Sequence, residues 1–298
     1  MTDKPDSAVR ESVTLPRWAR LPINRCNLPA AILGGLTFNA HPTALALDGV
    51  ETLHRPLLAM LDDMDDRAQR AQGFAHYMAH HFRLEQPEDA GLTASCAVDQ
   101  AARPLDSPAG RGARRNRARA SYLRVVRGWL FDPDGREGAV LKGWVESRFG
   151  LTPRYHGEPL RDLASAAYAQ YLEDRAAGLY GTNALEEQLD LLYTYCQYEL
   201  ARQPAARPHL NLFRGVNRMH AHERLAVVDR KREVLLLNNL NSFSSSRERA
   251  GEFGDYILSA AVPTTKIFFY NELLPGMPKG EDEYVVIGGL YEVAFTTL

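Results

Sequence analysis

The residues best suited to chemistry stand in three short pieces of the C-terminal third. They are Leu212-Phe213-Arg214-Gly215, then Leu240-Asn241-Ser242-Phe243-Ser244, then Glu281-Asp282-Glu283 running into Tyr284-Val285-Val286. Side chains of an extended strand alternate with period two, so Glu281 and Glu283 are expected to share one face. Two carboxylates so placed can divide charge stabilisation and proton acceptance between them. Each piece singly has a plainer reading. Aromatic-Arg-Gly is common by chance, serine clusters usually mark loops, and Glu-x-Glu is most often a solvated strand face. The plain readings leave the order of the three unexplained.

That order resembles the Arg, Ser-x-Ser and Glu-x-Glu signature of the arginine-specific mono-ADP-ribosyltransferases. Ala250 and Phe253, six and nine residues beyond Ser244, match the helix that follows the serine strand in that family. Ser242, Ser244, Ser245 and Ser246 allow two registers. Alignment on Phe253 favours Ser242-Phe243-Ser244, where the family more often has Ser-Thr-Ser, and the alternative starts at Ser244. The resemblance implies NAD as co-substrate, cleaved between nicotinamide and ribose. An oxocarbenium-like cation is best stabilised by a carboxylate in a water-poor site, the role expected of Glu283. Glu281 would orient an acceptor guanidinium and take its proton. Ser242 would hydrogen-bond Glu283 and hold it in place. Arg214 would clamp the pyrophosphate by paired hydrogen bonds. By the same resemblance the Gly215 backbone binds the nicotinamide amide, Phe253 stacks on its ring, and Ser244 completes the NAD-binding set. Tyr256 stands where many relatives carry a phosphate-binding arginine, so the phosphate contacts are expected to be distributed differently. The stretch from Asn271 to Gly280 corresponds to the loop that helps choose the target protein.

Over nearly its full length the chain also resembles the dinitrogenase reductase ADP-ribosyltransferases, bacterial enzymes that switch off nitrogenase. The stretch Leu21-Pro22-Ile23-Asn24-Arg25-Cys26-Asn27-Leu28-Pro29, the helical run after Asp48 and the C-terminal motifs carry this likeness. It implies the nitrogenase iron protein, dinitrogenase reductase, as acceptor, modified at one arginine so that electron transfer is blocked. It also implies control by a P-II nitrogen-signalling protein.

The elements that must position these residues read as α+β. From Gly49 to Phe82 apolar residues such as Leu53, Leu57, Leu58 and Leu61 recur at helical spacing. Between about Gln86 and Ala120 the pattern dissolves into Pro, Gly, Ala, Asp and Arg, a linker composition. Helical patterns return over Ala120–Leu130 and Ala139–Phe149, around the turn Asp132-Pro133-Asp134-Gly135, and over Leu160–Ala177 and Asn183–Arg202. Asn183 is the expected N-cap of the last. After Pro208 strand-like runs cover Leu210–Arg214, Val234–Leu237, Thr265–Tyr270 and Tyr284–Ile287, and the last turns through Gly288-Gly289 into Leu290–Phe295. This divides the chain into a mainly helical region, 1–120, and a catalytic region, 121–298, with helices in 121–205 and a β core in 206–298. The family resemblance makes that core a sandwich of two packed sheets flanking an NAD cleft.

Composition narrows the functional classes. With 35 Lys+Arg against 37 Asp+Glu, no global field recruits nucleic acid or an anionic membrane. The three cysteines, Cys26, Cys96 and Cys196, lack metal or redox spacing and suit a reducing cytoplasm. No run has the roughly 20 apolar residues of a membrane helix, and the first residues lack the apolar core of a signal peptide. The latter argues against a cytotoxic transferase aimed at actin. No G-x-G-x-x-G or Walker-type loop is present. His76, His80 and His81 have helical metal-ligand spacing but no evident further ligand. The run from Arg111 to Arg119 sits in the linker and reads as a solvated loop, with docking of an acidic partner left open. Two alternatives to a protein-modifying enzyme are an NAD glycohydrolase, against which Glu281 argues, and a catalytically silent nucleotide-binding module, against which Glu283 argues.

Overall fold

A computed structural model describes residues 12–84, 120–182, 184–203, 206–217, 222–277 and 282–297. The proposed linker and its arginine run, Cys96, Asn183 and Glu281 lie outside the described residues. The helices are α1 (Ala30–Leu33), α2 (Leu36–Ala40), α3 (Val50–Leu53), α4 (Arg55–Asp62), α5 (Arg67–His81), α6 (Tyr122–Phe131), α7 (Arg136–Phe149), α8 (Ala166–Gly178), α9 (Ala184–Ala201) and α10 (Arg247–Gly251). The strands are β1 (Arg154–Tyr155), β2 (Glu158–Pro159), β3 (His209–Val216), β4 (Glu223–Val227), β5 (Arg232–Ser244), β6 (Tyr256–Pro263), β7 (Ile267–Tyr270) and β8 (Glu283–Thr297). The α+β expectation holds, with helices first and strands after.

Local chemistry fixes the helix ends. The Asp66 carboxylate accepts from the Gln69 amide at 2.9 Å and starts α5. Gly150, at φ +69°, closes α7 in the left-handed conformation that glycine takes without strain. The predicted turn at 132–135 joins α6 to α7, with the Gly135 amide donating to the Asp132 carbonyl at 3.1 Å. The run after Gly49 forms helices as expected, the three from α3 to α5. Leu57 and Leu61 are buried, but Leu53 ends the short α3 and is 68% exposed, so the expected apolar face starts one turn later.

The strands are linked by hydrogen bonds in the order β4-β5-β3-β6-β8-β7, and β5 also pairs with β8. Strands β5, β3, β6 and β8 therefore close into a ring. β3 and β5 meet at a single register pair, Phe213 with Ser244, whereas β5 and β8 run together from Arg232/Ala294 to Ser244/Glu283. β5 continues past Leu237, where the strand-like run is expected to end, through Ser242 and Ser244, and stops before Ser245. One sequence expectation is corrected here. β8 runs unbroken through Gly288-Gly289, which does not turn. The pair faces a bulge in β5 between Leu237 and Leu240, and a Cβ on Gly288 would sit 1.7 Å from the Asn238 carbonyl oxygen.

One buried cluster extends from Leu15 to Val293 and includes residues of both the helices and the ring. Trp144 of α7 packs its ring 4.8 Å from Phe268 of β7, and its indole N–H donates to Asp190 of α9 at 2.7 Å. Arg70 of α5 holds Glu199 of α9 by two buried hydrogen bonds of 2.7 and 2.9 Å. The first contact seats α7 against β7, the strand paired with β8, and the others tie α7 and α5 to α9.

Candidate active site

Arg214 lies near the end of β3, opposite Leu258 of β6. Its Nη1 donates to the Ser242 carbonyl at 2.7 Å and so bridges the gap where β3 and β5 diverge. Its Nε is buried with no partner among the described residues. Burial pushes the guanidinium below its ordinary range, and the nearby Glu283 carboxylate acts in the opposite sense. An arginine stays charged through such shifts, so the cation is held with unused donor capacity.

Glu283 is the first residue of β8 and is 6% exposed. The register puts it directly across from Ser244, with Ser242 across from Val285. By strand alternation Ser242, Ser244 and Glu283 therefore share a face, and Ser244 is the nearer serine in register. The Ser242 hydroxyl accepts from the Trp129 indole N–H at 3.0 Å, which leaves its own proton to donate. The Ser244 hydroxyl oxygen accepts from the Ser246 amide at 3.1 Å.

Glu281, expected on the same strand face as Glu283, lies outside the described residues. The strand begins at Glu283, and Asp282 before it has φ +45°. Aspartate tolerates this left-handed backbone better than most residues. The turn is held by the Ser245 amide donating to the Asp282 carbonyl at 3.1 Å.

Gly215 is fixed by packing. A Cβ there would stand 2.0 Å from the Ala250 carbonyl oxygen, so only glycine lets α10 lie against β3. Phe253, just beyond α10, is 55% exposed, a large apolar ring left open to solvent. Tyr256 begins β6 and is half-buried.

Several residues around the motifs carried no sequence signal. Trp129 comes from α6, far from the motifs in sequence. Beneath it Lys142 is 1% exposed, paired with Asp134 and 5.9 Å from the Trp129 ring. Burial pushes its ammonium down, and Asp134 opposes this. His222 is pushed down to about 4 by burial and by the charges of Arg214 and Arg154, so it is neutral at pH 7 beside the two guanidiniums. A cleft of about 840 Å³ is lined by Glu283, Tyr284, Tyr270 and Arg67, among others. Arg214, Gly215 and Phe253 do not line that cleft.

His76, His80 and His81 are exposed, and among the described residues no cluster of His, Cys, Asp and Glu could hold a metal. His81 instead stacks on Tyr77 at 5.3 Å, and Tyr77 hydrogen-bonds His54 at 3.0 Å. Cys26 and Cys196 are buried free thiols. No described helix is long and apolar enough to cross a membrane.

The profile of the dinitrogenase reductase ADP-ribosyltransferase family matches residues 23–295. The chain belongs to that family. It is 42% identical over 272 residues to the NAD(+)–dinitrogen-reductase ADP-D-ribosyltransferase of Rhodospirillum rubrum, covering 91% of this chain and 93% of that protein. No solved structure matches. Family membership makes the chain an ADP-ribosyltransferase with NAD as co-substrate, and the match takes in the helical half as well as the three motif strands.

Proposed function

We propose that this protein transfers ADP-ribose from NAD to an arginine of dinitrogenase reductase, and that Arg214, Ser242, Ser244, Glu281 and Glu283 divide the work. One observation carries the reading. Arg214 is buried and tied to the Ser242 carbonyl, its Nε is unmatched among the described residues, and the buried Glu283 lies across from Ser244. Such a cation fits a phosphate oxygen, and such a carboxylate fits the positive charge that develops on ribose as nicotinamide departs. Ser244 supports the Glu283 carboxylate from the opposite strand. Ser242, held by Trp129, directs its proton toward the same face. By the family resemblance Phe253 takes the nicotinamide ring and the Gly215 backbone its amide. Glu281 orients the acceptor guanidinium and takes its proton as the N–C bond to ribose forms.

The acceptor comes from the family and from the R. rubrum relative, whose name specifies dinitrogen reductase. Control by a P-II protein, action in the cytoplasm, and the division into regions 1–120 and 121–298 belong to the same proposal and rest on the sequence reading.

Incubation of the protein with labelled NAD and dinitrogenase reductase, followed by peptide mapping, tests it. Label on one arginine peptide is expected. Equal nicotinamide release with and without the acceptor, and no labelled protein, would make the chain an NAD glycohydrolase instead.

A further inference from the structure

The cleft beside Glu283 already contains a guanidinium, and it comes from the helical half. Arg67, the first residue of α5, donates through Nη2 to the Glu272 carbonyl at 2.5 Å and through Nη1 to the Glu272 carboxylate at 3.2 Å. Its guanidinium lies 5.4 Å from the centre of the Tyr270 ring, and Tyr270 stacks on Tyr284 at 5.7 Å, with the rings 18° apart. Tyr284 follows Glu283 directly in β8. All five residues line the same cleft. Asn271 lines it too, with a buried side-chain oxygen that has no partner among the described residues. An aromatic face, a carboxylate, a backbone carbonyl and an unmatched amide oxygen all accept or attract, and none of them donates. That is the complement of a guanidinium, which only donates.

We propose that Tyr270, Asn271 and Glu272 form the subsite for the acceptor arginine, and that Arg67 occupies it as an internal stand-in that the acceptor must displace. This rests on the transferase reading above. Nothing in the contact is hard to undo. The Arg67 and Glu272 side chains are 41% and 78% exposed, and a cation–π contact and an ion pair at that exposure hold only weakly. An incoming arginine would repeat the same contacts while its guanidinium points toward Glu283. The resident Arg67 would thereby disfavour adventitious arginines and admit an acceptor that brings further binding surface of its own.

Agmatine, a small molecule with a free guanidinium, provides the test with the full chain. Labelled agmatine and free nicotinamide are measured together for wild type, Arg67→Ala and the double variant Arg67→Ala/Glu272→Ala. Arg67→Ala should lower the KM for agmatine about three- to tenfold, with the KM for NAD unmoved. The double variant should lose that gain. A KM for agmatine that rises or stays the same in Arg67→Ala would mean that Arg67 is a strut for the segment after β7 and would overturn the proposal. Circular dichroism melting of each variant separates that outcome from unfolding. Wild type that releases nicotinamide but labels neither agmatine nor dinitrogenase reductase would instead overturn the transferase reading, and this proposal with it.

Discussion

A buried guanidinium with an unmatched Nε carries a desolvation penalty that a bound phosphate can relieve, and this is the physical core of the role proposed for Arg214. Replacing it by alanine should weaken NAD binding by about 1.5–3 kcal/mol, roughly ten- to a hundredfold in Kd. Arg214→Lys should recover little, because a point charge cannot reproduce the planar fork. Isothermal calorimetry on the folded variants decides the matter, and unchanged affinity would place the phosphates elsewhere. At this scale the sequence was informative about residue type and poor about pairing. Arg214, the serines and Glu283 were legible because their chemistry and order are unusual together. Which serine lies across from Glu283 was not, since that depends on a strand register set by the whole β5–β8 ladder. His222 and Trp129 gave no signal, because a lone histidine or tryptophan looks the same wherever the fold puts it.

At the scale of elements, the helix α6 reaches the serine strand through Trp129. Trp129 is buried, and its N–H fixes the Ser242 hydroxyl at 3.0 Å. Trp129→Phe keeps most of the apolar contact and removes that donor. Transfer should fall about three- to tenfold in kcat, in line with the roughly 1 kcal/mol of one neutral hydrogen bond, while the KM for NAD stays put. A KM effect without a kcat effect would show that Trp129 shapes the NAD site and does not position Ser242. The helices and the strand-rich texture after Pro208 were legible from periodicity. The misread turn has a physical cause. Gly288-Gly289 has turn chemistry by local preference, yet it lies in a strand because long-range pairing supplies the hydrogen bonds of that segment. The bulge at Asn238 and Asn239 in turn demands a residue without a Cβ at 288. Glu281, whose face alternation predicts, lies outside the described residues.

Across the whole molecule, helices and strand ring share a core that includes a poorly compensated lysine. Lys266 is fully buried, its ammonium donating to the Gly288 carbonyl at 3.1 Å and lying 4.9 Å from the Tyr291 ring and 5.6 Å from that of Phe38. Burial pushes it down from 10.5 to about 7. Below about pH 7 both folded and unfolded chains hold the proton and the full burial penalty applies. Between about 7 and 10.5 the unfolded chain binds more protons than the folded one, so this group makes stability rise with pH. Lys266→Met should therefore stabilise the protein by about 1–3 kcal/mol near pH 6.5 and by much less near pH 10, as followed by urea unfolding at each pH. An equal gain at both would mean the lysine is not a buried cation. The reaction itself also belongs to the whole molecule, because cleavage needs only the carboxylate at ribose, whereas transfer also needs the acceptor held and deprotonated. Its most direct test measures free nicotinamide and labelled dinitrogenase reductase in one reaction mixture for wild type, Glu281→Gln and Glu283→Gln. Glu283→Gln should lose both products by about a hundredfold or more, and Glu281→Gln should lose the labelled acceptor while still releasing nicotinamide slowly into water. Near-normal turnover by Glu283→Gln, or labelling of the acceptor by Glu281→Gln at the wild-type rate, would contradict the account.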